Sequence, residues 1–386
     1  MNISKPSALK FIILLGVVSL FSDVTYQGMR SISGPYFAIL GASAAAVGIV
    51  SGFGELIGYA LRLVSGYISD KTKKYWTITF IGYAINLLAV PLLALAHRWE
   101  IAAMLIIMER TGKAIRAPAR DAIISHAAKQ VGQGWGFGLH KAMDQVGALS
   151  GPLIVAAVLY AKGGYRAGFL TLAIPAFLAL AVLLVARFIY PEPRDFDPVN
   201  IKIEKKGLPK IFWIYLAGTA CIAAGYADFP LIAYHFKKTA IVSDNWIPVF
   251  YSVAMAAGAL AALIFGRLFD KLGIVVLVLV VVLSVFFAPL VFFGGFNLAL
   301  LGMVFWGIGM AAQESIMRAA VAGMVSPGKR GSAYGIFNTG YGIFWFLGSA
   351  LIGILYDHSI LSLVIFSVVM QLVSVPIILL AYKKSE

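Results

Sequence analysis

The segment Gly66-Tyr-Ile-Ser-Asp70-Lys71-Thr-Lys-Lys74-Tyr-Trp76 decides how the rest of this chain is interpreted. It places one carboxylate and several cations in a short polar stretch between two long apolar runs. A related segment, Gly266-Arg-Leu-Phe-Asp270-Lys271, follows another apolar run later in the chain. The recurrence predicts two related halves, each with a charged turn between apolar helices.

The composition predicts that lipid is the solvent for most of the chain. Of 386 residues, 61% are hydrophobic and 12% are charged, whereas a soluble domain carries roughly 25% charged residues. An apolar helix of about 20 residues crosses a bilayer. The fold class predicted is therefore an all-α membrane protein with twelve transmembrane helices in two pseudo-symmetric six-helix bundles. The predicted spans are 11–36, 45–68, 76–96, 100–125, 135–160, 166–190, 210–235, 246–268, 273–293, 297–325, 332–356 and 360–382.

Lysine and arginine placement predicts the orientation. Cations concentrate at one set of alternate helix ends, including the loop of Lys71 and Lys74, and are sparse at the other set. Cytoplasmic loops carry the excess of positive charge. Both termini are therefore predicted to be cytoplasmic, in the inner (plasma) membrane. The net charge of +14 then reflects topology and attraction to lipid headgroups rather than nucleic-acid binding.

A polar, proline-rich stretch from Pro191 to Pro209 predicts the domain organisation. It divides the chain into an N-terminal bundle (1–190), a cytoplasmic linker (191–209) and a C-terminal bundle (210–386). Parallel six-helix repeats around a central site are a known transporter architecture.

Several classes of protein are excluded by missing motifs. The chain has a single cysteine, Cys221, so the sequence predicts no disulfide framework and no zinc site. It has no P-loop, no HExxH and no CxxC. We therefore expect that the protein is not an enzyme, that ATP hydrolysis does not drive its activity, and that it holds no cofactor and no metal.

The loop after the second helix resembles the signature of the major facilitator superfamily, Gly-x-x-x-Asp-Arg/Lys-x-x-Arg/Lys. The match lies at Gly66, Asp70, Lys71 and Lys74, and Asp270 holds the equivalent place in the second half. The resemblance implies ion pairs with neighbouring helices that hold one state of a gate. The alternative is that these lysines only determine the orientation of the chain in the membrane.

Helix five resembles the antiporter motif of the same superfamily. The matching residues are Gly138, Gly147, Gly151 and Pro152. The motif continues with a glycine pair where this chain has valine and alanine. Two interpretations of these glycines are therefore open: a role in export by antiport, and close packing of the helix against its neighbours. The segment RTGKAIRAPARDAIIS (110–125) also resembles a prokaryotic, drug-exporter-like branch.

Ionisable residues at membrane depth are costly and usually face a partner or a wet cavity. On helix four, Glu109, Lys113, Arg116 and Arg120 share one stripe at helical spacing, and Arg110 lies off it. The stripe is open to three interpretations: contact with an anionic substrate, structural ion pairs, or a solvated inner helix end.

Other charged residues lie on helices one, five, seven and ten. The resemblance implies that helices one, four, seven and ten line the central cavity. Buried acids with perturbed pKa values can exchange protons with a substrate, so the candidates for proton coupling are Asp23, Asp228 and Glu314. The remaining candidates are Gln27 and Arg30 on helix one, Arg318 on helix ten, and the possible pH-sensing pair His140 and Asp144 on helix five.

The function predicted is secondary active transport of a small solute by alternating access, as proton-coupled export by a monomer. The partners expected are a small-molecule substrate, protons and membrane lipid. The alternatives are an organic-anion carrier that uses the basic cavity, and a lipid flippase of the spinster-like kind.

Overall fold

The computed structural model describes residues 5–191, 207–314, 316–326 and 330–383, and these ranges are almost entirely helical. The first half contains α1 (Lys5–Ile39), α2 (Ala44–Thr72), α3 (Tyr75–Leu92), α4 (Trp99–Val131), α5 (Gln133–Tyr160), α6 (Gly164–Thr171) and α7 (Ala173–Ile189). The second half contains α8 (Lys210–Gly225), α9 (Phe229–Thr239), α10 (Trp246–Leu272), α11 (Val275–Ser284), α12 (Phe287–Phe293), α13 (Phe296–Glu314), α14 (Ile316–Met324), α15 (Arg330–His358) and α16 (Ile360–Lys383).

The helices have the length and composition of membrane spans. The described residues contain 11 helical segments that are long and apolar enough to cross a bilayer. The 33 residues of α4 are not among them, because they carry many of the internal charges. Large apolar side chains such as Phe188 and Leu263 are exposed, as lipid-facing residues are. An all-helical, multi-pass membrane protein is confirmed, and the exact number of twelve spans stays a prediction.

The chain forms two compact units. Unit 1 comprises Met1–Ser33 and Ile57–Val199, and unit 2 comprises Gly34–Leu56 and Asn200–Glu386. The end of α1 and the start of α2 therefore belong to unit 2, although they lie in the first half of the sequence. The predicted division at 191–209 stays a prediction, since most of that stretch lies outside the described residues.

Glycines allow close helix crossings in unit 1. A Cβ atom at Gly82 of α3 would lie 2.6 Å from the backbone nitrogen of Arg116 on α4. A Cβ atom at Gly151 of α5 would meet the carbonyl oxygen of Val24 and lie 3.0 Å from the nitrogen of Gly28, both on α1. Small residues let helix backbones approach in lipid, where packing replaces the hydrophobic effect as the cause of association. The first crossing joins α3 to α4, and the second joins α5 to α1.

Unit 2 contains a broken helix. α8 ends at Gly225 and α9 begins at Phe229, so residues 226–228 join the two helices, with Tyr226 and Asp228 in extended conformation. Non-helical backbone at membrane depth is tolerated where protein or a cavity surrounds it. The break places the Asp228 carboxylate at the beginning of α9.

Candidate functional site

Tyr26 on α1 is the centre of a group of cations in unit 1. The Arg30 guanidinium donates a hydrogen bond to its phenol oxygen at 3.1 Å, and Nη1 of Arg110 donates a second. The Lys113 ammonium lies 3.4 Å from the centre of the Tyr26 ring. We call Tyr26, Arg30, Arg110 and Lys113 the Tyr26 cluster.

Helical spacing explains how the Tyr26 cluster forms. Arg30 follows Tyr26 by one turn on α1, and Arg110 and Lys113 are three residues apart on α4, so each pair shares a face. Two donors occupy both lone pairs of the phenol oxygen. The ring face adds a cation–π attraction for Lys113. Tyr26 thus holds three cations close together although it carries no formal charge itself.

Glu109 supplies a carboxylate next to the Tyr26 cluster. Its side chain is 1% exposed. Asn86 on α3 donates hydrogen bonds to Oε1 at 2.6 Å and to the Glu109 carbonyl oxygen at 3.1 Å. Oε2 lies 3.7 Å from Nε of Arg110. Asn86 therefore fixes the position of the acid that neutralises one of the cations.

Arg116 is a buried guanidinium with few partners. It is 1% exposed, donates a hydrogen bond from Nη2 to the Ser22 hydroxyl at 2.9 Å, and stacks 4.1 Å over the Tyr83 ring. Its Nε and Nη1 have no hydrogen-bond partner among the described residues. A buried cation is costly when no carboxylate lies within ion-pair distance, as is the case for Arg116 among the described residues. Arg116 is thus suited to receive an anion.

Asp23 lies on the same face of α1 as Tyr26, three residues earlier. It interacts electrostatically with Asp144, Lys113, Arg116 and Lys141. In the part of the chain that the structure describes, its carboxylate has no hydrogen bond and no ion pair within 4.0 Å. Asp23 is therefore available to a proton or a ligand.

Arg120 differs from the other cations of α4. Its Nε and Nη2 donate to Oδ1 of Asp121 at 3.0 and 2.7 Å, and Nη1 donates to Ser19 at 3.3 Å. The helical stripe predicted from the sequence thus contains two kinds of residue. Arg116 lacks a carboxylate within ion-pair distance among the described residues, whereas Arg120 is paired.

His140 and Asp144 lie near each other on α5, as their spacing predicts. Nδ1 of His140 is 3.7 Å from Oδ1 of Asp144, longer than a hydrogen bond. His140 is buried, with 4% of its surface exposed. The pair lies in unit 1 with the Tyr26 cluster, and its role as a pH sensor stays a prediction.

Asp228 forms a separate polar site in unit 2. Its Oδ2 accepts hydrogen bonds from the Trp345 indole at 3.0 Å and from the Ser349 hydroxyl at 2.9 Å, both on α15. The side chain is 2% exposed. Two neutral donors and the start of a helix stabilise a carboxylate.

The other predicted site residues are dispersed. The Asp70 carboxylate accepts a hydrogen bond from the Tyr75 hydroxyl at 3.2 Å, and Lys71 lies 5.9 Å over the Tyr67 ring. Asp270 is exposed near the end of α10. The side chains of Glu314 and Arg318 lie outside the described residues. The remaining positions are Gln27, half-buried on α1; Lys74, just before α3; Gly66, against Pro118; Gly138, in open space; Gly147, against α1; and Pro152, inside α5.

Sequence reasoning missed three residues that position the charges. Ser22 and Tyr83 contact Arg116, and Asn86 holds Glu109. Only Asn86 gave a usable signal, as an amide inside the apolar segment of α3. Serine and tyrosine are too common in membrane helices to be singled out without the fold.

Apolar membrane helices that enclose buried charges at membrane depth are typical of a polytopic membrane transporter. Comparisons with known proteins agree. A sequence profile described as the Major Facilitator Superfamily matches residues 13–349 and 229–386. The chain therefore belongs to the major facilitator superfamily, whose members are transporters and not enzymes.

Similar proteins extend over nearly the whole chain. An uncharacterized protein of Mycobacterium tuberculosis is 39% identical over 375 residues, which cover 95% of this chain and 92% of the relative. An uncharacterized MFS-type transporter of Methanocaldococcus jannaschii is 27% identical over 361 residues, covering 91% and 89%. A bacterial homolog of the human lysosomal transporter Spinster, solved inward-facing and unoccupied, has a TM-score of 0.78 at 15% identity and covers 98% of each chain. This last likeness shows the fold.

Proposed function

We propose that the protein is a secondary active transporter for a small solute that carries an anionic group. The observation that supports this most is the state of Lys113 and Arg116. Among the described residues neither cation has a carboxylate within ion-pair distance. An ionisable side chain at membrane depth is by default a hypothesis of function.

The substrate anion binds between α1 and α4 in unit 1. Arg116 offers Nε and Nη1, and Lys113 offers an ammonium group held over the Tyr26 ring. Hydrogen bonds from cations to a carboxylate or phosphate are about twice as strong as those between neutral groups. The hydrogen bonds from Arg30 and Arg110 to Tyr26 keep the surrounding charges in place before the substrate arrives.

Coupling of anion transport to protons completes the proposal. Asp23 lies close enough to interact with Lys113 and Arg116, so a substrate anion and the Asp23 carboxylate compete for the same cations. Protonation of Asp23 favours anion binding, and release of that proton favours anion release. This linkage carries the proton and the anion in the same direction, as in symport. Proton-coupled export by antiport is the alternative direction, and it is supported by the resemblance of Gly147, Gly151 and Pro152 to the antiporter motif. The proposed transporter is a monomer in the plasma membrane, with both termini in the cytoplasm.

A second candidate substrate is an anionic lysolipid. An apolar groove of about 510 Å³ lies between α3 and α4 and is lined by residues such as Ile85, Met104 and Met108. A groove of this character accommodates an acyl chain. The function would then be lipid translocation, one of the alternatives weighed for the sequence.

Thermal stability of the detergent-purified protein tests the anion site. A ligand that binds only the folded state at a hundred times its Kd adds about 2.7 kcal/mol of stability. We expect small carboxylates or phosphates to stabilise the wild type, and Lys113→Gln and Arg116→Gln to lose this effect. The matched control is Arg98→Gln, because Arg98 is exposed and paired with Glu100 at 3.0 Å. Stabilisation by lysolipids alone would favour lipid translocation, and stabilisation by lipophilic cations alone would contradict an anion site.

Transport into proteoliposomes tests the coupling. We expect uptake to follow an imposed pH gradient in the wild type and to lose that dependence in Asp23→Asn. Transport that ignores the gradient, and that is unchanged in Asp23→Asn, Asp228→Asn and Glu314→Gln, contradicts proton coupling while leaving the anion site intact.

A further inference from the structure

We propose that His140 and Asp144 of α5 form a relay that carries protons to and from Asp23 on α1. The inference rests on the proton coupling proposed above and adds the route by which the proton reaches its acceptor. It follows from the packing of α5 against α1 and from polar atoms of α5 that the protein leaves without partners.

Asp23 and Asp144 lie on the two sides of the α1–α5 crossing. A Cβ atom at Gly147 of α5 would lie 3.1 Å from the Cβ atom of Asp23, so Asp23 is directly against this turn of α5. Asp144 precedes Gly147 by three residues and therefore shares its face, at a Cβ separation of roughly 5–6 Å. Asp23 and Asp144 interact electrostatically across the crossing. The two carboxylates thus lie within about one helical turn of each other.

Neither carboxylate is held by a hydrogen bond. In the described ranges neither Asp23 nor Asp144 accepts one, and both side chains are half-buried. Oδ1 of Asp144 is buried without a donor, 3.7 Å from Nδ1 of His140. A buried acceptor without a donor is costly, and a proton on the carboxylate or a donor brought to it removes that cost. Asp144 is therefore suited to exchange protons.

His140 extends this arrangement by one turn towards the start of α5. Its side chain is buried, and its Nε2 has no hydrogen-bond partner within the part of the chain that the structure describes. A neutral imidazole donates from one ring nitrogen and accepts at the other. Because Nδ1 faces Asp144 and Nε2 lies on the other side of the ring, His140 has a proton donor and a proton acceptor in the places that a relay needs.

The transfer conserves protons at each step. Nε2 of His140 takes a proton from water while the proton on Nδ1 passes to Oδ1 of Asp144, and the imidazole changes tautomer. Asp144, now a carboxylic acid, passes its proton to the Asp23 carboxylate. The distance of 3.7 Å must shorten by roughly 0.5–1 Å for the first transfer. Chains of Asp, Glu and His serve as proton relays at membrane depth.

Charged residues of α4 and α5 surround the relay. Those that interact electrostatically with Asp23 or His140 are Lys113, Arg116, Arg120, Asp121 and Lys141. Arginine keeps its proton in proteins, so the two arginines influence the relay by charge alone. Asp121 is bound to Arg120 at 2.7 Å. The uncommitted carboxylate next to His140 is therefore Asp144.

The rate at which Asp23 takes up a proton tests the relay without a substrate. The purified full chain is subjected to a rapid drop in pH, and the infrared band of protonated carboxyl groups is followed with time. The contribution of Asp23 is the part of the band that Asp23→Asn removes. We expect Asp144→Asn and His140→Gln to slow its appearance by about tenfold or more, while the band still forms.

Matched variants separate proton transfer from a structural role. Asp144→Glu keeps a carboxylate at the same place and is expected to keep most of the wild-type rate. His97→Gln and Asp244→Asn are the controls, because His97 is exposed beside Arg166 and Asp244 is exposed beside Lys237. Both controls are expected to leave the rate unchanged. Asp144→Asn tests the relay by itself if His140→Gln does not fold.

The outcomes distinguish the relay from the proposed function. A wild-type rate in Asp144→Asn overturns the relay and retains Asp23 as the proton acceptor. Equal slowing in Asp144→Asn and Asp144→Glu, or in the controls, also overturns it, because loss of a carboxylate is then not the cause. A band that Asp23→Asn leaves unchanged at every pH overturns proton coupling at Asp23 and the relay with it.

Discussion

The carboxylate of Asp357, near the end of α15, accepts a hydrogen bond from the backbone nitrogen of Ala45 at 2.8 Å, and a second from Ala44 at 3.2 Å. Both donors belong to the first turn of α2, where backbone N–H groups have no partner within the helix. All three residues belong to unit 2. An acid far away in sequence thus caps a helix that begins in the first half of the chain.

Replacing this cap is expected to destabilise unit 2. Asp357→Ala should lower the free energy of unfolding by about 1 kcal/mol, the usual cost of losing a helix cap. Asp357→Asn should cost less, because an amide oxygen still accepts a hydrogen bond. Thermal or denaturant unfolding in detergent measures both. Asp244→Ala is the control, since its ion pair with Lys237 is at the surface and is worth about 0–1 kcal/mol. An Asp357→Ala loss no larger than that of the control contradicts a capping role.

Two glycines of α5 are expected to respond oppositely to the same substitution. Gly151→Ala places a methyl group against the Val24 carbonyl oxygen and should cost about 1–3 kcal/mol through overpacking. Gly138→Ala adds a methyl group in open space. It should be neutral or stabilising by up to about 1 kcal/mol, because glycine is a poor helix former. Melting temperatures of the two variants measure the difference. Equal destabilisation at both positions would show that the α1–α5 crossing is not as close as described.

Tyr26→Phe tests the centre of the cation cluster. The change removes the oxygen to which Arg30 and Arg110 donate, and leaving a buried donor unsatisfied costs about 1–3 kcal/mol. We expect lower stability and weaker anion binding, since both guanidinium groups lose their anchor. Tyr67→Phe is the control, because Tyr67 is 66% exposed. Wild-type stability together with wild-type anion affinity in Tyr26→Phe would mean that the phenol does not organise the site.

The contact between Asn86 and Glu109 supports a prediction on α3. Asn86→Leu removes the donor that holds the buried carboxylate at 2.6 Å and should destabilise by about 1–3 kcal/mol. Thr79→Val, on the same face of α3, should be neutral, since the Thr79 hydroxyl is buried without a partner in the described part of the chain. Adding Glu109→Leu to Asn86→Leu should recover part of the loss, and strictly additive effects would argue against a direct interaction.

The sequence predicted the membrane class and the family because both depend on local patterns. Apolar runs of the length of a bilayer are visible without a fold, and the loop at Gly66–Lys74 carries its resemblance in a few adjacent residues. The helical spacing of α4 also predicted that Lys113 and Arg116 share a face. Hydropathy was least informative for α4 itself, because its charges mask a helix of 33 residues.

The partners of the charges could not be predicted from spacing. Periodicity gives the face of a helix on which a residue lies, and it does not give the element packed against that face. Arg116 and Arg120 therefore looked equivalent, although one stacks on Tyr83 and the other pairs with Asp121. Arg110 lay off the predicted stripe and yet reaches Tyr26.

The sequence by itself determined that this is a membrane protein and that it belongs to the major facilitator superfamily. The physical reason is that the apolar composition determines that the helices are surrounded by lipid, and that the family's motif consists of residues close together in sequence. Only the tertiary structure decided which buried charges are compensated. That outcome depends on glycines such as Gly82 and Gly151, which let helices approach until side chains far apart in sequence meet. Charge pairing at membrane depth therefore depends on helix packing. The candidate site could be identified only from the packing of α1, α3 and α4, which brings its residues together.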